Sequence, residues 1–144
     1  MTISDLPETV SIVRRNLLRA CHLLLVVGLG LTAWPRFLSS GTERPLMDGV
    51  VDAMLCGLQL LAIVGLFAPV RMLPVILFDI VWKALWVIVV AVPAVMNGRM
   101  SPGVTETLFA CAWAIPFLLI VPWRYAFRAY VREAEPWRRS AAHG

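Results

Sequence analysis

Four apolar runs, each close to the length that crosses a bilayer, constrain this chain more than any other feature. They are 17–34 (LLRACHLLLVVGLGLTAW), 50–70 (VVDAMLCGLQLLAIVGLFAPV), 72–96 (MLPVILFDIVWKALWVIVVAVPAVM) and 104–123 (VTETLFACAWAIPFLLIVPW). A hydrocarbon layer of ~30 Å is spanned by ~20 helical residues, whereas a barrel strand needs only ~10 that alternate in polarity. These runs are longer than strands and apolar on every side. Without water to satisfy backbone groups, helices are the remaining solution. The reading is an all-α, integral-membrane four-helix bundle, a single transmembrane domain covering 1–144, with interfacial tails at 1–16 and 124–144.

Composition narrows the function classes. Of 144 residues, 60% are hydrophobic and 15% charged, against roughly 45–50% and 25% in soluble domains. Intrinsic disorder is excluded, and three cysteines are too few for a disulfide scaffold. The net charge of +4 does not make a nucleic-acid binder of a chain this apolar, so no nucleic-acid partner is expected.

Punctuation agrees with four spans. Pro35 is expected to close helix one, and Ser39–Pro45 (SSGTERP) reads as a polar loop. Pro69 and Arg71 leave room only for a tight turn, which makes helices two and three an antiparallel hairpin. Asn97–Gly103 forms the third connection, and Pro122 with Trp123 marks the end of helix four. The basic residues Arg14, Arg15, Arg19, Arg71, Arg124, Arg128, Arg132, Arg138 and Arg139 fall on the side of both termini, against Arg36, Arg44 and Arg99 opposite. Cytoplasmic flanks carry the excess of arginine and lysine, so both termini are expected in the cytoplasm, with a bacterial inner membrane the expected location. Leu31-Thr32-Ala33 is a poor cleavage site, and the first run reads as a retained span. Asp5 to Glu8 reads as a helix start with a capping carboxylate, and WRYAFRAYVREAEPWRR as a headgroup-level anchor.

The chemistry-bearing candidates lie inside the membrane. Asp79 and Lys83 are spaced i, i+4, so they share a helix face and can pair. Each charge costs ~2.5–3.5 kcal/mol at a helix centre, and intramembrane ionisable groups are functional by default. The face Asp79, Trp82, Lys83, Trp86 and Val90 is expected to point into the bundle. Counting ~1.5 Å per residue puts Lys83 and Gln59 near the midplane. Pro116 frees the Ala112 carbonyl at a similar depth, so Lys83, Gln59 and that acceptor are expected to converge. Helix two presents Asp52, Cys56 and Gln59 on one face, and its Ala53 and Gly57 form a small-xxx-small step suited to close helix approach. His22, Trp113 and Glu106 complete the candidate ligand-binding set. Glu106 is equally a first-turn carboxylate placed by the helix dipole.

Other chemistries lack their residues. His22 has no second intramembrane histidine for a bis-histidine haem, the cysteines form no C-x-x-C pair, and His22 with Asp79 does not make a metal cluster. Whether a quinone or pigment binds is left open, and the cofactor is unknown. Three readings stay open. One is a protein whose buried polar centre binds a small hydrophobic or lipid-like ligand, or which serves as accessory subunit of a larger membrane complex. Another is an intramembrane isomerase or cyclase with Asp79 as acid and Lys83 stabilising developing charge. The third is a proton-coupled transporter working as a homo-oligomer, with Asp52, Glu106, Asp79 and His22 as relay steps.

The strings LLRACHLLLVVGLGLTAWPRFL and DAMLCGLQLLAIVGLFAPVRMLPVILF, the second spanning the helix hairpin, give the chain a layout that resembles the DoxX-like group of small bacterial four-helix membrane proteins. The likeness covers all four helices and lies in their rhythm. It implies a four-helix fold in a bacterial membrane; some members of the group are linked to thiosulfate–quinone oxidation. Small multidrug exporters are also four-helix but use a carboxylate in helix one, where this chain has His22.

Overall fold

A computed structural model describes residues 10–39 and 45–132, all of whose regular structure is helical. Four helices are long and apolar enough to cross a membrane: α1 (Ile12–Leu38), α2 (Leu46–Phe67), α3 (Leu73–Met96) and α4 (Pro102–Ile120). A shorter helical segment, α5, follows as an α-helical part (Trp123–Phe127) and a wider π turn (Arg128–Arg132). The capping motif at Asp5–Glu8, most of the first loop and the last arginines lie outside the described residues.

Local chemistry sets the helix starts. The Ser11 hydroxyl accepts from the Arg14 N–H at 3.2 Å and caps α1. Ser101 does the same for Val104 at 3.3 Å, with Pro102 in the first turn, where its missing N–H costs nothing. The tight turn between Phe67 and Leu73 makes α2 and α3 the expected hairpin. Pro35, by contrast, does not close helix one, which runs on to Leu38. A proline in a last turn removes one hydrogen bond, here to the carbonyl of the outward-facing Leu31.

Two prolines reshape the longer spans. Pro116 breaks α4 at Trp113, dividing it into Pro102–Ala112 and Ala114–Ile120. Pro93 follows a π-helical stretch at Val87–Ala91, in which Val92 donates to Val87, five residues back. The proline supplies no N–H and its ring crowds the carbonyl four residues before it; a turn widened by one residue relieves both.

α1 lies along α2, α2 turns back beside α3, and the second half of α4 closes the ring against α3 and α1. The closure is tied where α1 begins and α4 ends: Arg14 Nε donates to the Ile120 carbonyl at 3.1 Å. We call this the terminal end, and the opposite one the loop end. The large core side chains, Leu18, Leu25, Leu58, Leu73, Ile76, Ile80, Phe117 and Val121, gather in the terminal half. The loop half buries small or polar groups instead: Ala33, Asp52, Cys56, Ala91 and, near mid-span, Cys111. Its weakest wall is α4, only 17% buried within the bundle against 28–33% for the other spans.

Candidate functional site

The acid and the amine of α3 face inward. Asp79 is 1% exposed, and the Lys83 side chain 12%. Lys83 Nζ donates to Asp79 Oδ2 at 2.7 Å, and Trp82 Nε1 donates to Asp79 Oδ1 at 3.2 Å. The ammonium also sits 5.6 Å from the Trp82 ring centre and 5.8 Å from that of Phe117 on α4. Both distances are within range of cation–π attraction, which strengthens when the cation is desolvated. The buried Cys111 of α4 lies on the same side of the bundle. Neither Cys111 nor Phe117 was singled out with this pair by sequence spacing; both sit on α4 across from it.

The inward face holds for Asp79, and for Trp82, Lys83 and Trp86, which are half-buried, but not for Val90. Val90 is 40% exposed and Ala91, at 2%, takes the inward place. The π turn is the reason: with one more residue in it than an α turn holds, every position beyond shifts by one.

The expected convergence at the midplane is not formed. Gln59 is buried, but its amide serves α1: Nε2 donates to the Val26 carbonyl at 2.7 Å, and Oε1 accepts from Trp34 Nε1. Among the described residues Lys83 hydrogen-bonds Asp79 alone, and the Ala112 carbonyl receives neither side chain. A polar side chain at midplane takes the nearest acceptor, and α1 lies against α2 along its whole length. Gly30 permits this closeness, because a β-carbon there would stand 2.6 Å from Gln59 Nε2.

His22 forms a third centre. It is fully buried, with Nδ1 2.8 Å from the Leu18 carbonyl and Nε2 3.3 Å from the Met72 carbonyl. Its ring lies on Gly65 of α2, where a β-carbon would come within 1.9 Å of Cδ2. The imidazole thereby ties α1 to the turn preceding α3. Among the described residues it shares no hydrogen bond with Asp79.

The remaining candidates are peripheral. Asp52 is buried and meets Arg36 Nε at 3.4 Å near the loop end. Glu106 is exposed, and Trp113, at the break in α4, is 55% exposed. Asp52, Cys56 and Gln59 do share the inward face of α2, whereas Ala53 and Gly57 look outward. The close helix approaches within the bundle therefore use Gly30 and Gly65. A wholly apolar groove of about 210 Å³, lined by Val87, Ala91, Val92, Val95, Met96 and Leu108, opens beside the π turn and touches neither Asp79 nor Lys83. Among the described residues no group of three His, Cys, Asp or Glu side chains is placed to hold a metal ion.

Compared with protein-family models, curated proteins and solved structures, the chain matches none.

Proposed function

We propose that this integral membrane protein binds a small lipid-like molecule bearing an oxygen acceptor at the Lys83 ammonium. The observation that carries this reading is where the hydrogen bonds of the buried charges go. Every one formed by Asp79 and Lys83 stays within α3. A pair retained only to fix helix packing gains most by bonding across helices, as Gln59 does. Of its three N–H donors, Lys83 gives one to Asp79 and turns toward two aromatic faces. An acceptor oxygen brought between Trp82 and Phe117 satisfies a further donor, and the paired charge favours a neutral one.

Orientation belongs to the same proposal. With both termini cytoplasmic, as the arginine excess at the terminal end favours, the site lies in the half of the bilayer nearer the cytoplasm. The DoxX-like layout and a bacterial inner membrane are parts of this proposal too. A second reading, as accessory subunit of a membrane complex, is favoured by the outward Ala53–Gly57 step, where nothing lies within 4 Å of an added β-carbon at Gly57.

Native mass spectrometry of the gently extracted chain tests both. A retained small-molecule adduct that disappears in the paired variant Asp79→Leu/Lys83→Met supports ligand binding. An adduct unchanged by that variant, or none in the wild type, overturns it. A larger polypeptide retained by the wild type and lost on Gly57→Leu supports the accessory reading.

A further inference from the structure

The segment after α4 repeats one doublet three times, an apolar residue followed by arginine: Trp123-Arg124, Phe127-Arg128 and Val131-Arg132. Spaced by four residues on a helical segment, the doublets make two adjacent strips. Arg124, Arg128 and Arg132 are exposed along one, and Trp123, Phe127 and Val131 along the other at 48%, 59% and 59% exposure. The far side is spoken for, because Ala126 is buried in the core cluster and Tyr125 packs against it. The segment is not a straight continuation of α4. Val121 (φ −56°, ψ 126°) and Pro122 (φ −76°, ψ 79°) both leave helical geometry and turn the chain.

We propose that α5 is a docking surface for anionic phospholipid headgroups, with the Trp123–Phe127–Val131 strip in the acyl boundary and the arginine strip on the phosphates. An amphipathic helix with a cationic strip beside an apolar one lies in the interface plane and gains from both burial and charge. Arg14, held by the Ile120 carbonyl four residues before Arg124, adds a cation from α1 at the same end. Arg15, Arg19 and Arg71 stand exposed there as well, so the terminal end as a whole complements a negative surface. Charge complementarity selects the occupant: zwitterionic headgroups offer the same phosphate but cancel its charge. The inference is independent of any ligand at Lys83.

The full chain, reconstituted in vesicles of equimolar phosphatidylglycerol and phosphatidylcholine and gently re-extracted, provides the test through native mass spectrometry of retained lipid. The expected result is a severalfold excess of phosphatidylglycerol, on the order of fivefold per engaged arginine. Arg124→Gln/Arg132→Gln lowers the ratio severalfold while the remaining cations of the terminal end keep it above one, and lysine at both positions keeps most of it. Raised salt shrinks the excess in the unsubstituted chain, giving the same reading without a variant. Equal retention of the two lipids by the wild type, or an unchanged excess in the glutamine variant, overturns the proposal. So does binding of a labelled single-stranded oligonucleotide by α5 with no lipid preference.

Discussion

Gln59 and the Asp79–Lys83 pair are both polar groups in the membrane interior, yet the bundle treats them in opposite ways. Gln59 is neutral, and its hydrogen bonds cross from α2 to Val26 and Trp34 of α1. Asp79 and Lys83 are charged, and theirs never leave α3. The first arrangement joins helices and needs nothing else. In the second, charge is carried into the interior without joining helices by hydrogen bonds, which leaves the ammonium available. A polar residue within a span is thus informative through the helix its bonds reach rather than through its depth.

The sharpest way to break this contrast is to divide the pair. Lys83→Met strands the Asp79 carboxylate in the interior, and an uncompensated buried charge costs about 3–5 kcal/mol. Asp79→Leu/Lys83→Met removes both charges together and is expected to be close to neutral, or stabilising, since an apolar replacement of a buried pair often is. Thermal unfolding in one detergent checks both. If the double variant is as unstable as the single, the pair is holding the bundle together and its contrast with Gln59 collapses.

Gln59→Leu supplies the opposite arm and a smaller effect. The variant keeps the volume but removes two bonds between α1 and α2, and intramembrane hydrogen bonds average about 0.6 kcal/mol each. A loss of about 1–2 kcal/mol is expected, with no change in any small molecule retained at Lys83. Gly65→Ala belongs beside it: the added methyl meets the pinned His22 ring, and overpacking of this kind costs about 1–3 kcal/mol. Stability changes without loss of ligand in both variants sharpen the division between joints and site.

The same contrast marks what could be read without coordinates. Four spans, the α2–α3 hairpin and the inward Asp79–Lys83 face follow from run length and from i, i+4 spacing, which need no knowledge of neighbours. Periodicity assumes a constant pitch and so misplaces Val90, because a single Pro93, ten residues after Lys83, widens the turn between them. The partner of Gln59 was misjudged because depth places a residue along the bilayer normal but not around the bundle. Phe117, Cys111 and the seat of the His22 ring on Gly65 depend on how α4 and α2 close, information that no single helix carries. Glycine at 65 held a clue, since a helical glycine in an apolar run costs propensity and is repaid by close approach.

The smallest expected effect lies outside the span, where burial is partial and water near. The Tyr130 hydroxyl is held above the ordinary tyrosine range, first by partial burial and then by Tyr125. In the folded chain Tyr130 therefore keeps its proton to a higher pH than in the unfolded one, whose value is near ~10. Its contribution is fully present below that value and fades as pH rises through the folded one. Tyrosinate absorbance followed upward in pH should show a late step that vanishes in Tyr130→Phe, the chain having only two tyrosines. A late step that survives the substitution belongs to Tyr125 instead and places the Tyr130 hydroxyl in open solvent.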